Sequence, residues 1–264
     1  MWNKVKDLFA NGSQALILSG YFNIGLFFVC LGLSFVDPRT IAGVNAWLKP
    51  MKFCLSVSIY CFTLGVMLGL VDGFEKMCLW VGRAVAVVMY IEQICITFQA
   101  ARGVTSHYNI DSGFDGAVFA IMGICIALNT ILDTVVFGLL VLVPLPTLPT
   151  GVLWGIRLGL MMFIAAGFEG SLMIMHQGHT YGAPDGGPGM PWSNWSREYG
   201  DLRVAHFIGL HSLQILPMVG LLADRVLKAN TLRAVAVTAA AVALSWLMWM
   251  QTQLALAGKP FFKM

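Results

Sequence analysis

Seven apolar runs, separated by polar links, set the pattern of this chain. A helix that crosses hydrocarbon needs roughly 20 mostly apolar residues. By that measure the crossings fall at 15–35, 53–71, 79–100, 117–143, 153–175, 202–222 and 234–256. The links are short except at 103–116 and 176–201, and prolines stiffen the link at 143–151, VPLPTLPTG. The pattern predicts an all-α polytopic membrane protein, a single bundle of about seven transmembrane helices in a lipid bilayer, with no soluble domain.

Two stretches depart from that rhythm. Residues 41–52, IAGVNAWLKPMK, alternate apolar and basic groups. They are expected to lie in the membrane interface with Trp47 as an anchor. Residues 182–191, GAPDGGPGMP, forbid regular structure. The aromatics that follow, Trp192, Trp195 and Tyr199, are placed to pack this loop onto the headgroups or back over the bundle.

Composition agrees with the pattern. The chain is 58% hydrophobic and 11% charged, where a soluble domain carries about 25% charged residues. A net charge of +3 gives no ground for nucleic acid as a partner. The six cysteines lie in or beside apolar runs without a CxxC pair and read as buried small hydrophobes. No cleavable signal peptide is expected, because the first run is long enough to span and follows Lys4 and Lys6. Basic residues divide nearly evenly between the two ends of the bundle, Lys4 and Lys6 on one side and Lys263 on the other. The short link at 224–233 reads as cytoplasmic and the long Gly/Pro/Trp loop as extracytoplasmic, in a bacterial inner membrane.

Alternating crossings put all five histidines at one end. Four of them, His176, His179, His206 and His211, fall between residues 169 and 214, and His107 follows the third run. On the sixth run, Arg203, His206, His211 and Gln214 share an arc of roughly 140° at 100° per residue. Glu92 and Gln99 share a face of the third run, with Arg102 one turn further out, and Glu169 and His176 repeat the spacing on the fifth. The pieces EQICITFQ and EGSLMIMH align by their glutamates, as a trace of internal duplication would. Asn129 and Asp133 lie toward the other end, where Arg157 could reach Asp133.

Charged groups at membrane depth are expensive and mark function. The leading expectation is a b-type haem protein engaged in electron transfer with a quinone or a redox partner protein. Axial imidazoles would come from His211 or His206, with His176 or His107 opposite. Arg102, Arg203 and Trp192 or Trp195 would meet the propionates, with Gln99 and Gln214 lining the cofactor. Glu92 and Glu169 would carry protons as the catalytic acids. Against two stacked haems, no helix carries histidines 13 or 14 apart. The alternatives are an intramembrane zinc hydrolase acting on lipid, with three histidines (His179 among the candidates) and a glutamate base, and a proton-coupled transporter or assembly protein. Met173 and Met175 read as core filling rather than copper ligands. Lys259 lies beyond the last run, which argues against a retinal Schiff base.

Overall fold

The structure, a computed structural model, describes residues 12–262. Lys4, Lys6 and Lys263 lie outside those residues. Within them, seven stretches are long and apolar enough to cross a membrane, so the chain is an all-α, multi-pass integral membrane protein. The helices are α1 (Gln14–Val36), α2 (Leu48–Leu68), α3 (Glu75–Arg102), α4 (Gly113–Leu142), α5 (Thr150–Glu169), α6 (Ser171–His176), α7 (Leu202–Val226) and α8 (Asn230–Leu256). Two hairpins of two-residue strands interrupt them, β1 (Thr40–Ile41) with β2 (Val44–Asn45), and β3 (Thr180–Tyr181) with β4 (Gly200–Asp201).

Burial is inverted relative to a soluble protein. Phe35 and Leu142 are each 82% exposed, whereas Asn23, Gln93, Gln99 and Ser212 are completely buried. Exposed apolar surface of this extent suits a helix bundle in lipid, where interior polar groups bond across helices. The Ser58 hydroxyl donates to the Gly20 carbonyl at 3.0 Å, tying α2 to α1. The Tyr60 hydroxyl donates to Asn129 Oδ1 at 3.0 Å, tying α2 to α4.

The chain divides into two compact units, Met1–Leu132 and Asp133–Met264, with the division inside α4. In the first unit α1 packs on α2, and α3 packs on both. Residues 41–52 are not one interfacial segment. Ala42 and Gly43 turn the β1–β2 hairpin with positive φ, and α2 begins at Leu48, five residues before the expected boundary. Pro50 stands in the first turn, where a missing N–H costs nothing. Trp47 is buried rather than anchored among headgroups (5% exposed), and its indole N–H donates to Asp37 Oδ2 at 2.8 Å.

In the second unit α5 and α7 cross closely. Gly151, Gly155 and Gly159 fall on one face of α5 at four-residue spacing. A Cβ on Gly155 would fall on the Leu216 carbonyl, and one on Gly159 would come within 2.8 Å of the Ser212 carbonyl. Only glycine lets the two backbones approach this far. Asp224 of α7 accepts the N–H groups of Gly151 and Val152 at 2.9 Å each, capping the positive end of α5. The fifth crossing runs from α5 through Gly170, whose backbone stays helical (φ −55, ψ −23), into α6.

Both units follow one plan of long helix, hairpin, long helix, long helix. Thr40 pairs with Asn45 as Thr180 pairs with Asp201. Ala46 N–H donates to the Arg39 carbonyl, and Leu202 N–H donates to the His179 carbonyl, both at 3.0 Å. Asn45 Oδ1 accepts from Trp47 N–H and Asp201 Oδ1 from Arg203 N–H, each two residues on. The third helix of each unit ends at a glycine with positive φ, Gly103 and Gly258, followed by the same pair of backbone bonds. By these local marks α1 corresponds to α5, α2 to α7 and α3 to α8. The glutamate alignment instead equated the third crossing with the fifth. Glu92 and Glu169 sit on non-equivalent helices, and hydrophobic runs carry too little register to prevent that pairing.

Candidate functional site

The polar groups singled out from the sequence separate into local sets, each bound to its own unit. In the first unit Glu92 lies well inside α3 and is only 2% exposed. His107, from the link after α3, brings Nε2 to 3.7 Å from Glu92 Oε1. Its other ring nitrogen, Nδ1, is 3.1 Å from Lys49 Nζ and 3.1 Å from Ser106 Oγ. An ammonium only donates, so with Lys49 charged Nδ1 accepts and the neutral ring carries its proton on Nε2, toward Glu92. The rings of Phe53 and Phe119 lie 5.8 and 6.3 Å from the imidazole and wall it from one side each. Among the described residues, Glu92 Oε2 is buried with no hydrogen-bond partner.

Gln99 and Arg102 belong to a different set. Gln99 Nε2 donates to Asp115 Oδ1 at 2.9 Å, Arg102 pairs with the same carboxylate, and the Ser112 hydroxyl donates to Oδ2 at 2.5 Å. Arg102 also lies 4.8 Å from the Phe114 ring centre. The arginine expected to meet propionates is thus pinned to the start of α4.

In the second unit Glu169 is the last residue of α5, with a side chain 8% exposed. His206 Nδ1 lies 3.4 Å from Glu169 Oε2 and donates over 2.9 Å to the Ala166 carbonyl. Thr252 of α8 brings its hydroxyl to 3.5 Å from Glu169 Oε1, and among the described residues Oε2 has no hydrogen-bond partner. Gly170 is glycine because His206 fills the space a Cβ would take, with Cε1 2.8 Å away.

The remaining candidates have neighbours of their own. His176 Nε2 bonds the Thr180 carbonyl at 2.8 Å, and the ring stacks on Tyr181 with centres 3.8 Å apart. His179 Nδ1 is 3.0 Å from Asp185, which also accepts the N–H of Thr180 at 2.9 Å. His211 packs on Phe207 with ring centres 4.1 Å apart and is hydrogen bonded to Gln214. Arg203 grips Asp201 through Nε and Nη2 at 2.9 and 2.6 Å and reaches the Asn194 carbonyl. Trp192 is half exposed, with φ +64, while Trp195 packs on Phe207 and Phe261. Arg157 places Nε on the Leu140 carbonyl at 2.9 Å, a bond to the end of α4 that its expected reach toward Asp133 did not anticipate.

Lys49, Asp115, Asp201 and Thr252 were missed. Lys49 was read as interfacial, and no sequence spacing joins it to residue 107. Asp201 carried a signal, since an Asp before an apolar run is an N-cap. Among the described residues, no three or more His, Cys, Asp or Glu side chains are grouped to hold a metal ion. No family model matches the chain, and no curated protein or solved structure matches it.

Proposed function

We propose that the protein moves protons within the membrane, as part of a proton-coupled transporter, through Glu92, His107 and Lys49. The observation that supports this most is a carboxyl inside a membrane helix, 2% exposed, with one bare oxygen and the other facing an imidazole. An ionised carboxylate buried this way costs several kcal/mol unless a proton or a cation meets it. His107, with a side chain 22% exposed, stands between that carboxyl and the outside. A proton delivered to Nδ1 lets the Nε2–H pass to Glu92, after a shift that closes 3.7 Å to bonding distance, and leaves a neutral ring in its other tautomer. Lys49 sets the direction by holding Nδ1 as the acceptor.

On this reading the protein works in an energised membrane such as the bacterial inner membrane, with the histidine-bearing end outward. The test is proton entry into vesicles containing the purified chain, driven by a potassium diffusion potential and followed with a trapped pH dye. Glu92→Gln should lower the rate at least tenfold, and His107→Ala should lower it less. A wild-type rate equal to that of empty vesicles removes the proposal.

One observation favours haem as a second reading. The Nδ1–H of His206 is fixed by the Ala166 carbonyl, the arrangement that leaves Nε2 as a lone-pair donor to a metal. The propionate partners fit less well, because Arg102 and Arg203 are held by Asp115 and Asp201. A reduced-minus-oxidised absorption spectrum decides it. Sharp haem bands lost in His206→Ala would favour the cytochrome, and quinone would follow as its partner.

A further inference from the structure

The duplicated plan supplies an internal comparison. Gly20 and Gly159 each lie against the next long helix: the Gly20 carbonyl accepts from the Ser58 hydroxyl, and a Cβ on Gly159 would meet the backbone at Ser212 and Leu213. Ten residues beyond each glycine stand Cys30 and Glu169 (20 to 30, 159 to 169). Counting back from Gly103 and Gly258, Thr97 and Thr252 occupy the same step, six residues before the terminal glycine. Matching helix steps thus hold a thiol and a hydroxyl in one unit, and a carboxyl and a hydroxyl in the other.

The first unit fills its position with neutral groups. Cys30 and Cys54 are wholly buried and hydrogen bonded to one another. Gln93 Nε2 lies 3.2 Å from Cys54 Sγ and 3.3 Å from Thr97 Oγ1. Packing this junction therefore needs no charge. The second unit nonetheless places Glu169 there, nine-tenths buried, with Oε2 bare. Neither neighbour neutralises it well. The His206 N–H is directed to the Ala166 carbonyl at 2.9 Å, closer than the carboxylate at 3.4 Å. The Thr252 hydroxyl is nearer to the Met248 carbonyl, 3.1 Å, than to Glu169, 3.5 Å. His206 is the one titratable side chain shown against Glu169 among the described residues. Arg203 is held by Asp201, and His176 by the Thr180 carbonyl.

We infer that the junction of Glu169, His206 and Thr252 is a binding site for one small monovalent metal cation of the sodium class. A single positive charge is what the carboxylate lacks, and hydroxyl and carboxylate oxygens are ligands for it. This site is independent of Glu92, so the failure of one leaves the other standing.

The test uses the full chain in sodium-free detergent and reads Tm by intrinsic fluorescence. Sodium chloride replaces choline chloride at about pH 9, where exposed carboxyls are ionised. A sodium site lifts the wild-type Tm by roughly 3 to 6 °C at a concentration tenfold above Kd. Glu169→Gln, which removes the charge, should abolish that response. If Glu169→Gln does not fold, Thr252→Val should move the midpoint of the sodium titration. Responses that are absent, or identical in the variants, overturn the inference.

Discussion

Asp37 shows how a single side chain organises the link between α1 and α2. Its carboxylate accepts from Arg39 Nε at 2.9 Å and from the Trp47 indole at 2.8 Å. The Arg39 guanidinium, its backbone N–H and then the indole hold this carboxyl well below the usual carboxylate range. The unfolded chain has the ordinary value, about 4. A depressed folded value means stability that is present above about pH 4 and is lost as pH falls through the folded value. Wild type should therefore exceed Asp37→Asn in Tm at neutral pH, and acid titration should shrink the gap below about pH 4. A gap that widens in acid would contradict this assignment. Glu92 and Glu169 were legible in the sequence as acids at membrane depth. Their partners were not, because Lys49 and Thr252 arrive from helices far along the chain.

Among the helices, the α5–α7 crossing is the most sharply specified. The nearest contact at each of Gly151, Gly155 and Gly159 is to backbone, which cannot swing aside as a side chain can. Gly155→Leu should cost about 3 kcal/mol in detergent unfolding, at the upper end for an overpacked interior. Gly123→Ala is the control, since nothing lies within 4 Å of the place its added methyl would take. Equal losses from the two would mean that the close approach is unimportant. Span existence was readable because about 20 apolar residues have few other fates. Span ends were harder. Leu48 and Glu75 begin helices several residues before the apolar runs do: Lys49 in the first turn of α2 meets His107, and Glu75 at the start of α3 accepts the Gly73 N–H at 2.8 Å. The glycine ladder was visible at four-residue spacing and went unread, as did the hairpins, whose strands of two residues leave no periodicity.

For the molecule as a whole, the proposed outward placing of the histidine end sets a prediction of sidedness. A cysteine at Gly187, in the long loop between α6 and α7, should react with impermeant maleimide in intact cells. One at Lys228, in the link after α7, should react only after permeabilisation. The native cysteines lie within spans and are buried apart from the half-buried Cys95, so they leave the background low. The reverse labelling would invert the orientation. The repeat itself was the hardest feature to read. Its marks are hydrogen bonds and terminal glycines, such as Gly103 and Gly258, rather than shared residues along the apolar runs.

The two hairpins share pairing but not size. Two residues join the strands of the first, 42–43, and eighteen join those of the second, 182–199. Lengthening a closed loop is thermodynamically inexpensive, so the shorter turn marks the minimum this frame requires and the longer one is an elaboration. Grafting Ala-Gly between Tyr181 and Gly200 should yield a chain that still inserts and folds, deprived of the Asn194 carbonyl that steadies Arg203, of the Asp185 carboxylate beside His179 and of the Trp195 packing on Phe207. The trimmed chain thereby separates what the shared frame needs from what the long loop adds to it.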